Sequence, residues 1–326
     1  MASRTRPRLA RSRRALIAAL LAASVAVPVS GAARPGAVPA PVPPVLAPLT
    51  AATPEALRER YAVNRAAVRA AERTAAGHGD HRRAAALRAL AAPERRLLSF
   101  DGRDGGRSAE VFGEPAAADR IAVLVPGADT SLDDYWRLRA DALALSRELG
   151  DRAAVVAWLG YRTPATVGPE ALTTGRADAA APELRRFVRE LVTALPAART
   201  ALLCHSYGSV VCARAAPGLP VDDIVLYGSP GTGGDGDRAA RLGGGAAVWA
   251  GRSTGDWVAE VPDLRLRLPF VTVGFGTDPV SEEFGARIFD AGSGGHGDYL
   301  RPGSVPLRSI ARIVARPLPS GRAGHV

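Results

Sequence analysis

Ser206 stands in Leu202-Leu203-Cys204-His205-Ser206-Tyr207-Gly208-Ser209-Val210-Val211, where a short apolar run breaks at His-Ser-Tyr-Gly and gives way to small residues. This pattern predicts a strand, a tight turn with the serine at its tip, and a buried helix, so that the hydroxyl projects from the carboxyl edge of a sheet. The amino end of the helix, with its partial positive charge, would then face any oxyanion formed on the serine. Gly208 suits the turn, because a side chain there would hold the helix away from the strand. Cys204 occupies the position where such turns usually carry glycine.

A serine hydroxyl is a poor nucleophile at neutral pH and needs a base, most often histidine. Only His296 and His325 follow Ser206, and His296, in Gly294-Gly295-His296-Gly297-Asp298-Tyr299, is the expected base. His205 adjoins the serine, but strand alternation turns its ring away and gives it a structural role. The imidazole needs a carboxylate to fix its tautomer. Asp256, after the second strand beyond the elbow strand, is the first choice, with Asp278 in Gly276-Thr277-Asp278-Pro279 as the alternative. The oxyanion donors would be the backbone N–H groups of Tyr207 and of Ala128 in Pro126-Gly127-Ala128. Acyl transfer through these groups requires no metal and no organic cofactor.

The elements that must position them follow from hydrophobic periodicity. Residues 97–100 and 108–112 read as a hairpin, and 121–125 and 153–159 as strands buried on both faces. Further strands are expected at 200–204, 224–227, 246–250 and 286–289. Helices are expected from Thr53-Pro54-Glu55 to about 77, then to about 90, from the capping box Ser131-Leu132-Asp133-Asp134, over 182–195, and over 304–315. Alternating strands and helices make an α/β fold: a mostly parallel central sheet with helices on both faces and an N-terminal helical extension. The polar stretch 160–181 is the candidate lid or substrate-facing loop. Cys204 and Cys212 are expected to be buried thiols, since a disulfide would have to bridge the elbow itself.

The formal charge of +10 does not indicate nucleic acid. Six arginines lie in the first fourteen positions, and without residues 1–33 there remain 36 basic against 32 acidic residues, a net +4, with the arginines scattered singly. There is no lysine, so a Walker-type phosphate loop is excluded. Residues 1–33, with an arginine-rich start, an apolar middle and Ser30-Gly31-Ala32-Ala33, read as an export signal; Ser12-Arg13-Arg14 resembles the twin-arginine type. Removal of that signal would leave no stable membrane span, in a secreted or envelope-associated protein. Residues 34–52 read as a Pro/Ala-rich linker supplying no core, 53–95 as the helical segment, 96–316 as the main domain and 317–326 as a tail.

Several segments, Val125-Pro126-Gly127, Asp133-Asp134-Tyr135-Trp136, His205-Ser206-Tyr207-Gly208, Gly228-Ser229-Pro230-Gly231, Val248-Trp249-Ala250-Gly251, Phe284-Gly285-Ala286 and Gly295-His296-Gly297-Asp298-Tyr299, follow in this order within a stretch from about residue 97 to 310. Through them the chain resembles the α/β-hydrolases, and more closely an actinobacterial family of exported or envelope-associated proteins first catalogued as a domain of unknown function. The resemblance implies a hydrolase scaffold and no particular substrate. The expected function is an exported serine hydrolase acting on a small-molecule ester or amide through an acyl-enzyme. The alternative is a catalytically silent envelope binding protein on the same scaffold.

Overall fold

The structure, a computed structural model, describes residues 38–234, 238–261, 266–267 and 272–317. The expected export signal and residues 318–326 of the expected tail lie outside the described residues.

Eight strands form one sheet: β1 (Leu97–Asp101), β2 (Arg107–Phe112), β3 (Arg120–Val125), β4 (Ala153–Leu159), β5 (Arg199–His205), β6 (Asp223–Tyr227), β7 (Ala247–Gly251) and, beyond a two-stranded hairpin of β8 (Leu266–Arg267) and β9 (Thr272–Val273), β10 (Arg287–Ile288). Their order is β1-β2-β4-β3-β5-β6-β7-β10. β1 and β2 pair antiparallel, as do β2 and β4, and every later pairing is parallel. The elbow strand β5 is therefore central.

Side-chain alternation divides the core in two. Ile121, Val123, Val125, Leu202 and Cys204 face helices α4 (Gly175–Ala194) and α5 (Gly208–Ala215). Ala122, Leu124, Ala201 and Leu203 face α3 (Trp136–Leu149) and the closing helix α7 (Val305–Val314). Continuous apolar strands buried on both faces are what a helix-covered parallel sheet requires. The N-terminal helices α1 (Pro54–Gly77) and α2 (His81–Leu90) pack against each other, with α1 along β1. Thr53 caps α1 by accepting from the Ala56 N–H. A short helix α6 (Ala239–Gly243) precedes β7.

Three features differ from the sequence expectation. Helix α4 begins at Gly175 rather than 182 and carries Pro182 inside it, because Ala177, Ala180, Ala181, Leu184, Val188 and Leu191 keep helical spacing against the sheet and outweigh the proline's missing N–H. Helix α3 begins at Trp136, and the acids expected to open it serve elsewhere: Asp133 pairs with Arg83 and Asp134 with Arg82, both on α2. The end of the segment expected to supply no core does supply some. Leu49 and Ala52 are buried, the Leu49 N–H donating to Glu190 at 2.8 Å and the Ala52 N–H to the Ala194 carbonyl at 3.1 Å.

Candidate active site

Ser206 follows the last residue of β5 and has φ +52°, a left-handed conformation that L-residues adopt only where the surroundings enforce it. Its N–H donates to the Tyr227 carbonyl at the end of β6, pinning the turn to the neighbouring strand. Helix α5 then folds back so closely that a Cβ on Gly208 would lie 2.4 Å from the Val125 carbonyl oxygen, which explains the glycine. A Cβ on Gly127 would likewise meet the Ser206 Cβ at 2.6 Å. The serine, the end of β3 and the start of α5 thus converge at one point on the carboxyl edge.

The two cysteines form a disulfide between Cys204 and Cys212, which corrects the expectation of free thiols. The elbow turns α5 back along β5, so residues eight apart in sequence bring their Cα atoms to 6.3 Å, inside the range a disulfide spans. The expected obstacle, that the bond must bridge the elbow, is how it forms. Ser209 adds to the fastening by donating its hydroxyl to the Cys204 carbonyl at 3.1 Å.

His296 lies on the loop after β10. Its Nε2 is 2.9 Å from the Ser206 Oγ, and its Nδ1 is 2.9 and 3.0 Å from the two oxygens of Asp256. A carboxylate beside Nδ1 fixes the proton there, leaving Nε2 to accept from the hydroxyl. Asp256 follows β7 and is fully buried at its side chain. Burial pushes its carboxyl up, but hydrogen bonds from His296, Tyr299 and the Val258 N–H outweigh this and hold it below the usual carboxylate range. Asp278, the alternative acid, is engaged elsewhere: both its oxygens accept from Arg252, at 3.0 and 2.5 Å. Asp298 ties the histidine loop by accepting from the Gly295 N–H at 2.8 Å.

His205 has the structural place expected of it. Its Nε2 donates to the His296 carbonyl at 2.9 Å, and its ring stacks on Tyr227 with centroids 5.1 Å apart. Burial lowers its pKa to about 3, so it stays neutral beneath His296. Sequence reasoning did not single out Tyr299, which donates to Asp256 at 2.5 Å, or Trp257, whose ring lies 4.9 Å from that of His296. Tyr299 stands three positions after His296 and Trp257 one after Asp256, and neither belongs to a pattern that marks a partner of the carboxylate or the ring.

Ala128 and Tyr207 border, with Ser206, a cavity of about 380 Å³. The Ala128 loop is braced by stretch 160–181: the Tyr161 hydroxyl donates to the Pro126 carbonyl, Asp129 accepts from the Thr166 N–H, and the Asp129 N–H donates to the Pro164 carbonyl. Asp129 also has a left-handed φ of +54°. The Tyr207 hydroxyl donates to the Thr173 carbonyl and accepts from the Ala177 N–H. The far wall of the cavity is mostly apolar, formed by Leu172, Trp257, Val258, Val261 and Phe275. Among the described residues no His/Cys/Asp/Glu cluster suited to a metal ion occurs, and no helix is long and apolar enough to cross a membrane.

Two uncharacterized proteins of Mycobacterium tuberculosis are similar in sequence. Rv2079 is 32% identical over 250 residues, covering 67% of this chain and 38% of its own length, and Rv0963c is 34% identical over 183 residues, covering 49% and 68%. The chain thus spans about two fifths of the length of the first of these relatives. Among solved structures, a lidless serine hydrolase from Xanthomonas campestris aligns at 18% identity over 69% of this chain and 94% of its own, with a TM-score of 0.44. A carboxylesterase from Mesorhizobium loti aligns at 14% over 65% and 95%, with a TM-score of 0.45. The family model described as alpha/beta hydrolase matches residues 101–266, from the hairpin through the elbow and past Asp256, and this chain belongs to that family.

Proposed function

We propose that this chain is a serine hydrolase that cleaves a carboxylic ester through an acyl-enzyme on Ser206, with an amide as the less favoured substrate. The observation that carries the reading is the unbroken hydrogen-bond chain from Ser206 Oγ through His296 to Asp256, each link near 2.9 Å. In the first step Oγ attacks the carbonyl carbon while its proton passes to His296 Nε2, and Asp256 steadies the imidazolium. The carbonyl oxygen, now negative, is met by the N–H groups of Tyr207 and Ala128. Collapse of the tetrahedral intermediate expels the alcohol, which takes the proton from Nε2. Water then attacks the acyl-serine by the reverse relay, releasing the acid and restoring the hydroxyl. The mostly apolar cavity beside Ser206 suits the acyl group of an ester.

Export is part of the reading. Residues 1–33 have the charge, apolar stretch and small-residue zone of a signal, and a disulfide is at home in an oxidising compartment.

Short p-nitrophenyl esters and a fluorophosphonate probe test the proposal. Turnover and labelling are expected in the wild type, with kcat falling by at least about a thousandfold in Ser206→Ala and His296→Ala. Labelling that survives Ser206→Ala would mean a different nucleophile. A folded wild type with neither turnover nor labelling would favour the binding-protein reading.

A further inference from the structure

On the α3 side of the sheet, between α3 and loop 297–302, lies a second cavity of about 700 Å³. It shares Ala128 with the cavity beside Ser206 and otherwise has its own lining: His205, His296 and Tyr227 form one wall, and Leu138, Leu143 and Leu300 supply apolar surface. The volume is in the range of small-molecule sites, which are mostly apolar with a few placed polar groups.

Two such groups face this space. Asp141, on α3, makes no hydrogen bond or ion pair with any described residue, and burial alone pushes its carboxyl up to about 7. The Tyr227 hydroxyl also has no hydrogen-bond partner among the described residues and lies near enough to Asp141 to be influenced by its charge. A carboxyl largely withdrawn from water and without a partner is costly. Three arginines line the same cleft and none forms an ion pair with Asp141: Arg137 stacks on the exposed Trp136, Arg301 pairs with Asp298 across 3.8 Å, and Arg147 is exposed at the rim.

We propose that this cleft is a second binding site, taking a primary organic amine whose apolar body lies along Leu138, Leu143 and Leu300 and whose ammonium group reaches Asp141 and Tyr227. An ammonium donates three hydrogen bonds and carries the charge that an ionised Asp141 lacks a partner for. Amine binding keeps Asp141 ionised at neutral pH, since an opposite charge beside a carboxyl favours its charged form. The site stands whether or not Ser206 turns over a substrate.

Calorimetric titration with three isosteric probes, 2-phenylethylamine, 2-phenylethanol and phenylacetate, decides the matter. The amine is expected to bind wild type and Ser206→Ala equally, and at least tenfold more tightly than the alcohol. Asp141→Asn should remove that preference. Because Asp141→Asn could disturb folding, Ala140→Trp provides an independent arm: residue 140 is exposed at the cleft, and the indole should block binding while thermal unfolding stays near wild type. Equal binding of amine and alcohol, preference for phenylacetate at the rim arginines, binding unaltered by both variants, or no amine binding at millimolar concentration would each overturn the proposal.

Discussion

The phenol of Tyr299 donates to Oδ2 of Asp256 over 2.5 Å, so the carboxylate that holds Nδ1 of His296 is itself held by a second side chain. The same hydroxyl accepts from the Ser253 N–H at 3.1 Å, which anchors it to the loop after β7. Tyr299→Phe keeps the ring beside His205 and Tyr227 and removes one of the donors that depress the Asp256 carboxyl. That carboxyl should rise, and the acid limb of ester turnover should shift to higher pH. A hydrogen bond to a charged group contributes about 1.5–3 kcal/mol, so a fall in kcat of about tenfold or more is expected. Stability has the same sign: a depressed carboxyl contributes above its unfolded pKa of about 4, and the contribution is lost as pH falls through the folded value. An unshifted pH profile in Tyr299→Phe would reduce the tyrosine to a space-filler.

The two candidate acids separate cleanly by mutation. Asp256→Asn leaves the ring of His296 without the anion that sets its tautomer, and kcat should drop by about 10³–10⁴ with little change in KM. Asp278→Asn should leave kcat within a few-fold, yet lower the unfolding temperature, because Arg252 is mostly buried and loses its bidentate partner. The reverse outcome would return the acid role to Asp278.

The disulfide is the staple of the elbow. It closes a short loop between buried residues on β5 and α5, two positions before and six after the serine. Loop-closure entropy for so short a ring gives about 2–3 kcal/mol, and the bridge also opposes relaxation of the left-handed turn. The double variant Cys204→Ala and Cys212→Ala should unfold at lower temperature, and the wild type with reductant should match it. Turnover should fall in both, because Oγ is then less firmly held against His296. A reduced enzyme of unchanged kcat and melting temperature would show that the turn is fixed by α5 packing alone.

Much of this was legible in the sequence, and the reasons are local. Strands β3, β4 and β6 are apolar runs that no amphipathic helix would produce, and the break at His-Ser-Tyr-Gly is visible at once. The choice of Asp256 over Asp278 came from the order of roles along the fold, and the geometry places Asp256, not Asp278, against His296. What escaped was long-range. Cys204 and Cys212 look like core residues until the elbow folds the helix back on the strand. Leu49 is one apolar residue in a proline-rich run, and the Glu190 of α4 that receives its N–H lies 141 positions later. Pro182 reads as a helix start, whereas seven residues before it are helical because the Ala-rich face has a sheet to cover. Tyr299 lacks a sequence pattern of its own, since its partner lies 43 positions earlier.

His205 allows a last measurement that joins stability to the site. Its pKa of about 3 in the folded chain lies well below the ordinary value near 6.5, because burial disfavours the imidazolium. As pH falls from 6.5 toward 3 the unfolded chain takes up a proton that the folded chain refuses, so stability is lost over that window. Each unit is about 1.4 kcal/mol, giving about 2 kcal/mol between pH 7 and pH 5 for this one group. His205→Phe retains an aromatic ring against Tyr227 and abolishes the titration, so the difference in urea unfolding free energy between those two pH values should shrink by that amount. The variant also loses the hydrogen bond that supports the His296 carbonyl, and kcat should fall several-fold at pH 7, where the net charge of this ring is zero in both proteins. A His205→Phe protein with the wild-type slope of stability against pH would mean that His205 takes up its proton in the folded chain as readily as in the unfolded one, and that burial does not hold it neutral.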